Sequence, residues 1–308
     1  MKILVAAAFG EAGLKLLLEK HQVEYAPKIS QTELKKIIGD FDAIVSRGTC
    51  PVREDVIRLG TRLQVIATAG AGTNHIDVEF ARSRGIKVIN ASGANAYSVA
   101  ELTLGLLLSL LRRVPEADRE VKLERIYDKN RYLGREAAGK TLGLIGIGQI
   151  GFKVAKVCQS MEMRVLAYDP YVRREIAEDA GIELADLESV FARSDVISVH
   201  VPLTEETRGV INAKNLALTR PGSYVINMSR GEIADEAAVA EALNIGQLAG
   251  YATDVICQEP APGEKIQDRP LLDCGNLVIT PHMGAWTVEA QEKATLLTAQ
   301  RVLEAFMC

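Results

Sequence analysis

The chain is sparing with the residues that most often do chemistry. Its 308 residues include four histidines and one tryptophan, and only 5% are aromatic. Five cysteines (Cys50, Cys158, Cys257, Cys274, Cys308) are odd in number and scattered, and none forms a C-x-x-C pair. This excludes a disulfide framework and a cysteine zinc site; no metal is expected, and reduced thiols in the cytoplasm are. Basic residues are also short. Lys and Arg number 36 against 40 Asp and Glu, for a net charge of -4, and no basic cluster carries interleaved aromatics. Nucleic acid is therefore not an expected partner. Long apolar runs are missing too. "VAELTLGLLLSLL", Val99 to Leu111, is too short for a bilayer and reads as a buried helix. "MKILVAAAFGEAGLKLLLEK" opens like a leader, but Glu11 breaks the run and Leu14, Leu17 and Leu18 fall on one helical face. A strand followed by a helix is the expectation, with no membrane partner. Low-complexity tracts, short repeats and a Pro/Gly/Ser linker are absent.

What remains is an ordinary globular composition, 48% hydrophobic and 25% charged, arranged with a clear rhythm. Apolar runs of strand length alternate with helical stretches: "KILVAAA", "FDAIVS", "LQVIATAG" and "IKVINAS", then "KTLGLIGIG", "MRVLAYDP", "DVISVHVP", "SYVINMS", "LAGYATDV" and "NLVITPH". Such alternation predicts an α/β fold with parallel sheets covered by helices on both faces. Each half carries a strand running into a Gly-rich turn, so two Rossmann-like domains are expected. Crossings placed near Ala94–Ser98 and His282–Thr287 make the first domain discontinuous. Residues 1–96 and 286–308 would form it, and 97–285 would be a Rossmann domain inserted into it, leaving a cleft between the two.

In "GLIGIGQIG", Gly146, Gly148 and Gly151 have the spacing G-x-G-x-x-G. The triplet alone is weak, but here it follows a strand and opens the helix "FKVAKVCQSM". Gly146 permits a tight turn, Gly148 lets backbone approach a pyrophosphate, and Gly151 lets the helix pack closely on the strand. Gln149 and Ile150 would bring their amides to the phosphates at the helix N-terminus. The next strand ends in Asp169. A carboxylate there either accepts from adenosine ribose hydroxyls or merely caps the strand before Pro170. The first reading selects NAD over NADP, because Asp169 would repel a 2′-phosphate and no arginine follows immediately. "ATAGAGTNHID" imitates this loop, but His75 stands where the third glycine would be. Gly70, Ala71 and Gly72 form either a nest of bare amides for a small carboxylate or an ordinary turn.

Three strand ends in the second half carry polar groups: Arg230 after "YVINMS", Asp254 and then Glu259 after "GYAT", and His282 after "NLVITP". Ligands bind at the carboxyl ends of parallel strands, so these can converge. Exchange of hydride between a secondary alcohol and NAD needs a group that moves the hydroxyl proton, and histidine is suited to that. Glu259 could fix the imidazole tautomer and favour the imidazolium; Arg230 could grip a substrate carboxylate bidentately and polarise its neighbouring carbonyl. Arg230 as a helix cap and Glu259 in a Pro-rich surface loop are the plainer alternatives.

With these residues in view, the chain resembles the D-isomer-specific 2-hydroxyacid dehydrogenases over nearly its whole length. "VINMSRGEIADE", "ATDVICQEP" and "ITPHMGAWTVEAQ" match three signature segments of that family in order, and "NRYLGREAAGKTLGLIGIGQIG" matches its approach to the cofactor loop. The resemblance implies an NAD-dependent enzyme interconverting a D-2-hydroxyacid and its 2-keto acid. Within it, His282 would be the acid/base, Glu259 its partner and Arg230 the substrate-carboxylate arginine. Asp254 would lie near the nicotinamide carboxamide, and His200, Val201, Pro202, Met228 and Gly284 would line the cofactor. Ala71, Gly72 and Asn95 would belong to the substrate loops of the first domain, which becomes a flavodoxin-like substrate domain. A homodimer is implied, with the apolar helix and the following segment at its interface.

"AGAGTNHID", "AELTLGLLLSL" and "GAWTVEAQ" look most like family members acting on 3-phosphoglycerate and 3-phosphohydroxypyruvate. Arg47 in "VSRGT" could meet a phosphate or another distal anion, or be solvated. Glyoxylate, hydroxypyruvate and sulfopyruvate are alternative acceptors, and an NAD(H)-sensing binding role is a remote one. Two departures stand out. Trp286 occupies a position where the family has a small serine, and either reshapes the pocket or packs between domains. The chain also ends soon after its last helix, so no serine-sensing regulatory domain, and no inhibition through one, is expected.

Overall fold

The computed structural model describes residues 1–261 and 263–307; Cys308 lies outside them. The chain divides into two compact units, one from Met1–Asn95 together with the segment from Ala285 onward, the other Ala96–Gly284.

The first unit is built on β1 (Lys2–Val5), β2 (Gln22–Tyr25), β3 (Ala43–Ser46), β4 (Val65–Thr68) and β5 (Lys87–Ile89). They form one parallel sheet in the order β2-β1-β3-β4-β5. Side chains alternate across it, as the two-residue period of a strand requires. Leu4, Ile44 and Ile66 pack with Ile38 and Ile57 on one face. Ile3, Val5, Val45 and Val65 pack on the other with Leu17 and with Ala299 and Val302 of the terminal helix Val288–Met307. Because both faces are covered, the inner strands are apolar throughout, which made them readable.

The second unit contains β6 (Thr141–Ile145), β7 (Arg164–Tyr168), β8 (Glu183–Leu184), β9 (Val196–Val199), β10 (Ser223–Asn227), β11 (Leu248–Thr253) and β12 (Leu277–Ile279). Again every pairing is parallel, in the order β12-β11-β10-β9-β6-β7-β8. The chain starts at β6, moves out through β7 and β8, and returns to the other side of β6 at β9. That reversal opens a crevice at the carboxyl ends of β6 and β9, where doubly wound sheets take ligands. The helix Ala96–Arg112 buries Leu106, Leu107, Leu110 and Leu111 against this sheet and the helix Gln149–Ser160.

β2 and β8 were not anticipated. Both are sheet edges, β2 is largely exposed and β8 has two residues, so neither presents an apolar run. Among the described residues no helix is long and apolar enough to cross a membrane, no disulfide forms, and no His/Cys/Asp/Glu group could hold a metal.

Candidate active site

At the end of β6 the backbone of Gly146 turns with φ of +89°. A Cβ there would stand 2.8 Å from Val201 Cγ1 and 2.9 Å from the His200 carbonyl oxygen. Conformation and space both demand glycine. A Cβ on Gly151 would collide with the Gly146 carbonyl oxygen. The close approach at Gly151 is therefore to the loop's own backbone, rather than to the strand as expected. Gly148 caps the helix Gln149–Ser160 and has open space where a side chain would stand. The amides of Gln149 and Ile150 lie in a first turn that lacks intrahelical acceptors, at the positive end of a helix dipole. Room and donors together fit the pyrophosphate of a dinucleotide.

Asp169 follows β7 and is half-buried. Its Oδ2 accepts from the Ile147 amide at 3.0 Å, and Oδ1 accepts from the amides of Tyr171 and Val172 at 2.9 and 3.2 Å. Three backbone donors thus hold the carboxylate rigid and tie the glycine loop to the end of β7. The capping role is real, and it leaves a lone pair on Oδ2.

Past β9, the His200 amide donates to the Ile145 carbonyl at 2.8 Å, and its Nε2 pairs with Ser198 Oγ at 2.9 Å. Nδ1 is buried with no partner. Burial lowers the pKa of this imidazole to about 4, so the ring is neutral. Val201 is half-buried, Pro202 is exposed, and Met228 is buried near Gly284.

The His282 loop is the most constrained part of the site. His282 has φ of +52°, a left-handed backbone that costs a residue with a side chain about 1–2 kcal/mol. Asp254 enforces it. Only 3% exposed, its carboxylate accepts from Thr280 Oγ1 (2.6 Å), the Met283 amide (2.8 Å) and the Gly284 amide (2.7 Å). Its own carbonyl accepts from the His282 amide at 2.9 Å. Ser98 Oγ donates to the Gly284 carbonyl at 2.6 Å and pins the far side of the loop. Asp254 braces this loop with both carboxylate oxygens. The braced imidazole stands with Nδ1 2.7 Å from Glu259 Oε2, both side chains accessible at 46% and 37%. A carboxylate only accepts, so the proton between them sits on Nδ1, and in the neutral ring Nε2 keeps its lone pair.

Arg230 is half-buried. It donates through Nη1 to the Ser229 carbonyl and has no carboxylate partner among the described residues. Its carbonyl accepts from Asn227 Nδ2 at 2.9 Å; it stands at the N-cap position of the short 3-10 helix Gly231–Ile233, but its side chain makes no capping bond. The next residue, Gly231, lies against the Ile256–Cys257 peptide so closely that any Cβ would overlap it. The structure therefore packs the Arg230 turn on the segment leading to Glu259.

In the first unit, Arg47 is half-buried and donates to Gln291 Oε1 at 2.5 Å, while its Nε is buried without a partner. Burial lowers its pKa. Gln291 in turn donates to the Ala285 carbonyl at 2.8 Å. Arg47 is thus not the solvated arginine of the plainer reading. The Ala71 carbonyl accepts from Asn90 Nδ2, and Gly72 and Asn95 are half-buried. His75 meets Ser46 Oγ at 3.2 Å, and burial, then Arg53, lower its pKa to about 4. Trp286 is 72% exposed. Ser98, Thr280 and Gln291 carry no local signal of a role in the sequence, yet Ser98 bonds Gly284, Thr280 bonds Asp254 and Gln291 bonds Arg47; Glu236 and Arg269, equally silent, meet at the Cys257 backbone.

Residues 104–284 match the D-isomer specific 2-hydroxyacid dehydrogenase, NAD binding domain. A D-3-phosphoglycerate dehydrogenase from Archaeoglobus fulgidus is 41% identical over 98% of this chain and 57% of its own length. A hydroxypyruvate reductase from Thermotoga maritima is 40% identical over 94% of this chain and 93% of its own. Among solved structures, a D-lactate dehydrogenase from Aquifex aeolicus, complexed with NAD and lactic acid, superposes with a TM-score of 0.83 at 29% identity, covering 100% of this chain and 95% of that one. The chain spans a little over half the length of the phosphoglycerate dehydrogenases it matches. The glycine loop, the braced histidine and these likenesses agree: the chain belongs to the D-isomer-specific 2-hydroxyacid dehydrogenase family.

Proposed function

We propose that the protein is an NAD-dependent dehydrogenase that interconverts an anionic D-2-hydroxyacid and its 2-keto acid, with 3-phosphoglycerate and 3-phosphohydroxypyruvate as the pair. The observation that carries this is the Glu259–His282 hydrogen bond at the carboxyl end of the sheet that also bears the glycine loop. Bound NADH would supply the hydride. In reduction His282 donates a proton through Nε2 to the carbonyl oxygen as negative charge develops there, and in oxidation it takes the proton back. Glu259 keeps the ring in the productive tautomer and balances the imidazolium. Arg230, without a protein carboxylate, grips the substrate carboxylate and polarises the adjacent carbonyl.

For the cofactor we assign Gly146, Gly148, Gln149, Ile150 and Gly151 to the pyrophosphate and Asp169 to the adenosine ribose. His200, Val201, Pro202, Met228 and Gly284 are assigned to its walls, while Asp254 acts one step back, by bracing the His282 loop. For the substrate we assign Ala71, Gly72, Asn95 and Arg47. Arg47 favours a second anion on the substrate, because a partly buried guanidinium held by an amide lacks a counter-charge. A cytoplasmic setting is supported by four unpaired cysteines among the described residues. A homodimer is supported by the helix Val114–Leu123, which buries no residue and, with the segment after it, exposes Leu123, Tyr127 and Leu133.

The test is NADH oxidation by the purified protein with 3-phosphohydroxypyruvate, hydroxypyruvate, glyoxylate, pyruvate and 3-sulfopyruvate. Preference for the phosphorylated acid, lost in Arg47→Ala, is the expected result and makes this a serine-pathway enzyme. Preference for a small keto acid, widened by Trp286→Ser, would instead make Trp286 the pocket wall; if that acid is hydroxypyruvate, it is the activity in the name of the Thermotoga relative.

A further inference from the structure

Glu259 must be held as firmly as His282 for a 2.7 Å hydrogen bond to persist on an exposed loop. The structure contains a candidate for that task, and the inference rests on the reading of Glu259 and His282 given above. Cys257, two residues before Glu259, has both main-chain polar groups taken by side chains. Its amide donates to Glu236 Oε1 at 2.8 Å, and its carbonyl accepts from Arg269 Nη1 at 3.0 Å. The same Nη1 meets Glu236 Oε2 at 2.8 Å and Oε1 at 3.1 Å. At 13% and 18% exposure this pair is largely shielded from water, unlike surface pairs such as Arg58–Glu54 and Lys122–Asp118, whose side chains are both well exposed. Shielding strengthens the attraction and makes the geometry unforgiving.

The chemistry suits the task. One peptide residue offers a donor and an acceptor; a carboxylate and a guanidinium supply the two complements and neutralise each other. On another side of the same peptide lies Gly231, in contact too close for any side chain. Immediately after Cys257, Gln258 adopts φ of +52°. A left-handed conformation at a residue with a side chain persists only where its surroundings impose it. The fixed Cys257 peptide does so, and the turn at Gln258 delivers Glu259.

We propose that Glu236 and Arg269 form a clamp on the Cys257 peptide that positions Glu259 against His282 and, through Gly231, keeps that pair in register with Arg230. Neither residue touches substrate; both act through Glu259.

The chain's four histidines make the test tractable. In protein labelled with 15N-histidine, at a pH where His282 is neutral, the ring nitrogens report its tautomer. Wild type should show the proton on Nδ1, and Glu259→Ala should shift it toward Nε2. Arg269→Ala should do the same with Glu259 untouched. In reduction of hydroxypyruvate by NADH, Arg269→Ala should lower kcat by roughly 10- to 100-fold, as misplacement of a catalytic group does, with the KM for NADH little changed. In a Glu259→Ala background it should cost almost nothing further. Arg269→Lys, which keeps the charge, should recover part of the loss. Should Arg269→Ala fail to fold, Glu236→Gln takes its place, because it keeps the acceptor for Cys257 and removes only the charge. Retention of the Nδ1 proton in these variants, or losses that multiply with Glu259→Ala, would overturn the clamp. The tautomer measurement needs no turnover. Full activity in His282→Ala would sink the catalytic reading alone and leave the clamp to be judged by the spectrum.

Discussion

Two histidines stand just past the carboxyl ends of strands in the same sheet, and the structure treats them oppositely. His200 follows β9 directly, continues its ladder through the Ile145 carbonyl, and turns its ring onto Ser198. His282 follows β12 after Thr280 and Pro281, on a left-handed backbone, and turns its ring onto Glu259. A hydroxyl can donate or accept and asks for no charge, so His200 accommodates burial by remaining neutral. A carboxylate can only accept; it fixes the proton on Nδ1 and is a ready counter-charge for a protonated ring. Residue type and strand position are shared; partner and exposure are not.

The comparison breaks most readily at His282. His282→Ala should lower kcat by about 10²- to 10⁴-fold, the range general acid–base groups supply, while NADH still binds. Steady-state turnover beside a fluorescence titration with NADH checks both halves. The smaller effect belongs to His200 and to its counterpart in the first unit, His75. Both have pKa values lowered to about 4 by burial, against about 6.5 in an unfolded chain. Above pH 6.5 both states hold neutral rings, and this stability is fully present. As pH falls from 6.5 toward 4, the unfolded chain takes up protons that the folded one refuses, and stability is lost. Each ring accounts for up to roughly 3 kcal/mol across that window. Urea unfolding at pH 7 and pH 4.5 should show the loss, and His200→Asn should reduce the pH dependence. An unchanged dependence in the variant would mean His200 does not stay neutral in the folded state.

Why some of this was readable follows from the same contrast. Strands buried on both faces are apolar throughout, so Thr141–Ile145 and Val196–Val199 announced themselves, whereas the exposed edge strand Gln22–Tyr25 did not. The glycine triplet was legible because Gly146 needs a positive φ and Gly151 a close approach, and both requirements leave a local mark. His282 and Glu259 were legible as polar residues beyond apolar runs. Burial of His200 was not, since "SVHVP" looks the same whether its ring faces water or protein. Nor were the braces: Ser98 reaches Gly284 across 186 residues, and Arg269 reaches Glu236 across 33. Such pairs depend on where the sheet brings chain segments together, which no local spacing encodes. Asp254 was singled out, but its three bonds to the His282 loop needed the fold to be seen.

The most direct measurement is the chirality of the product. With NADH and the preferred of the four keto acids whose reduction creates a stereocentre (glyoxylate gives achiral glycolate), the hydroxyacid formed should be the D isomer, in amount equal to the NADH consumed, and His282→Ala should form it about 10²- to 10⁴-fold more slowly. An L product, or no NADH oxidation with any of the five acids, would contradict the account.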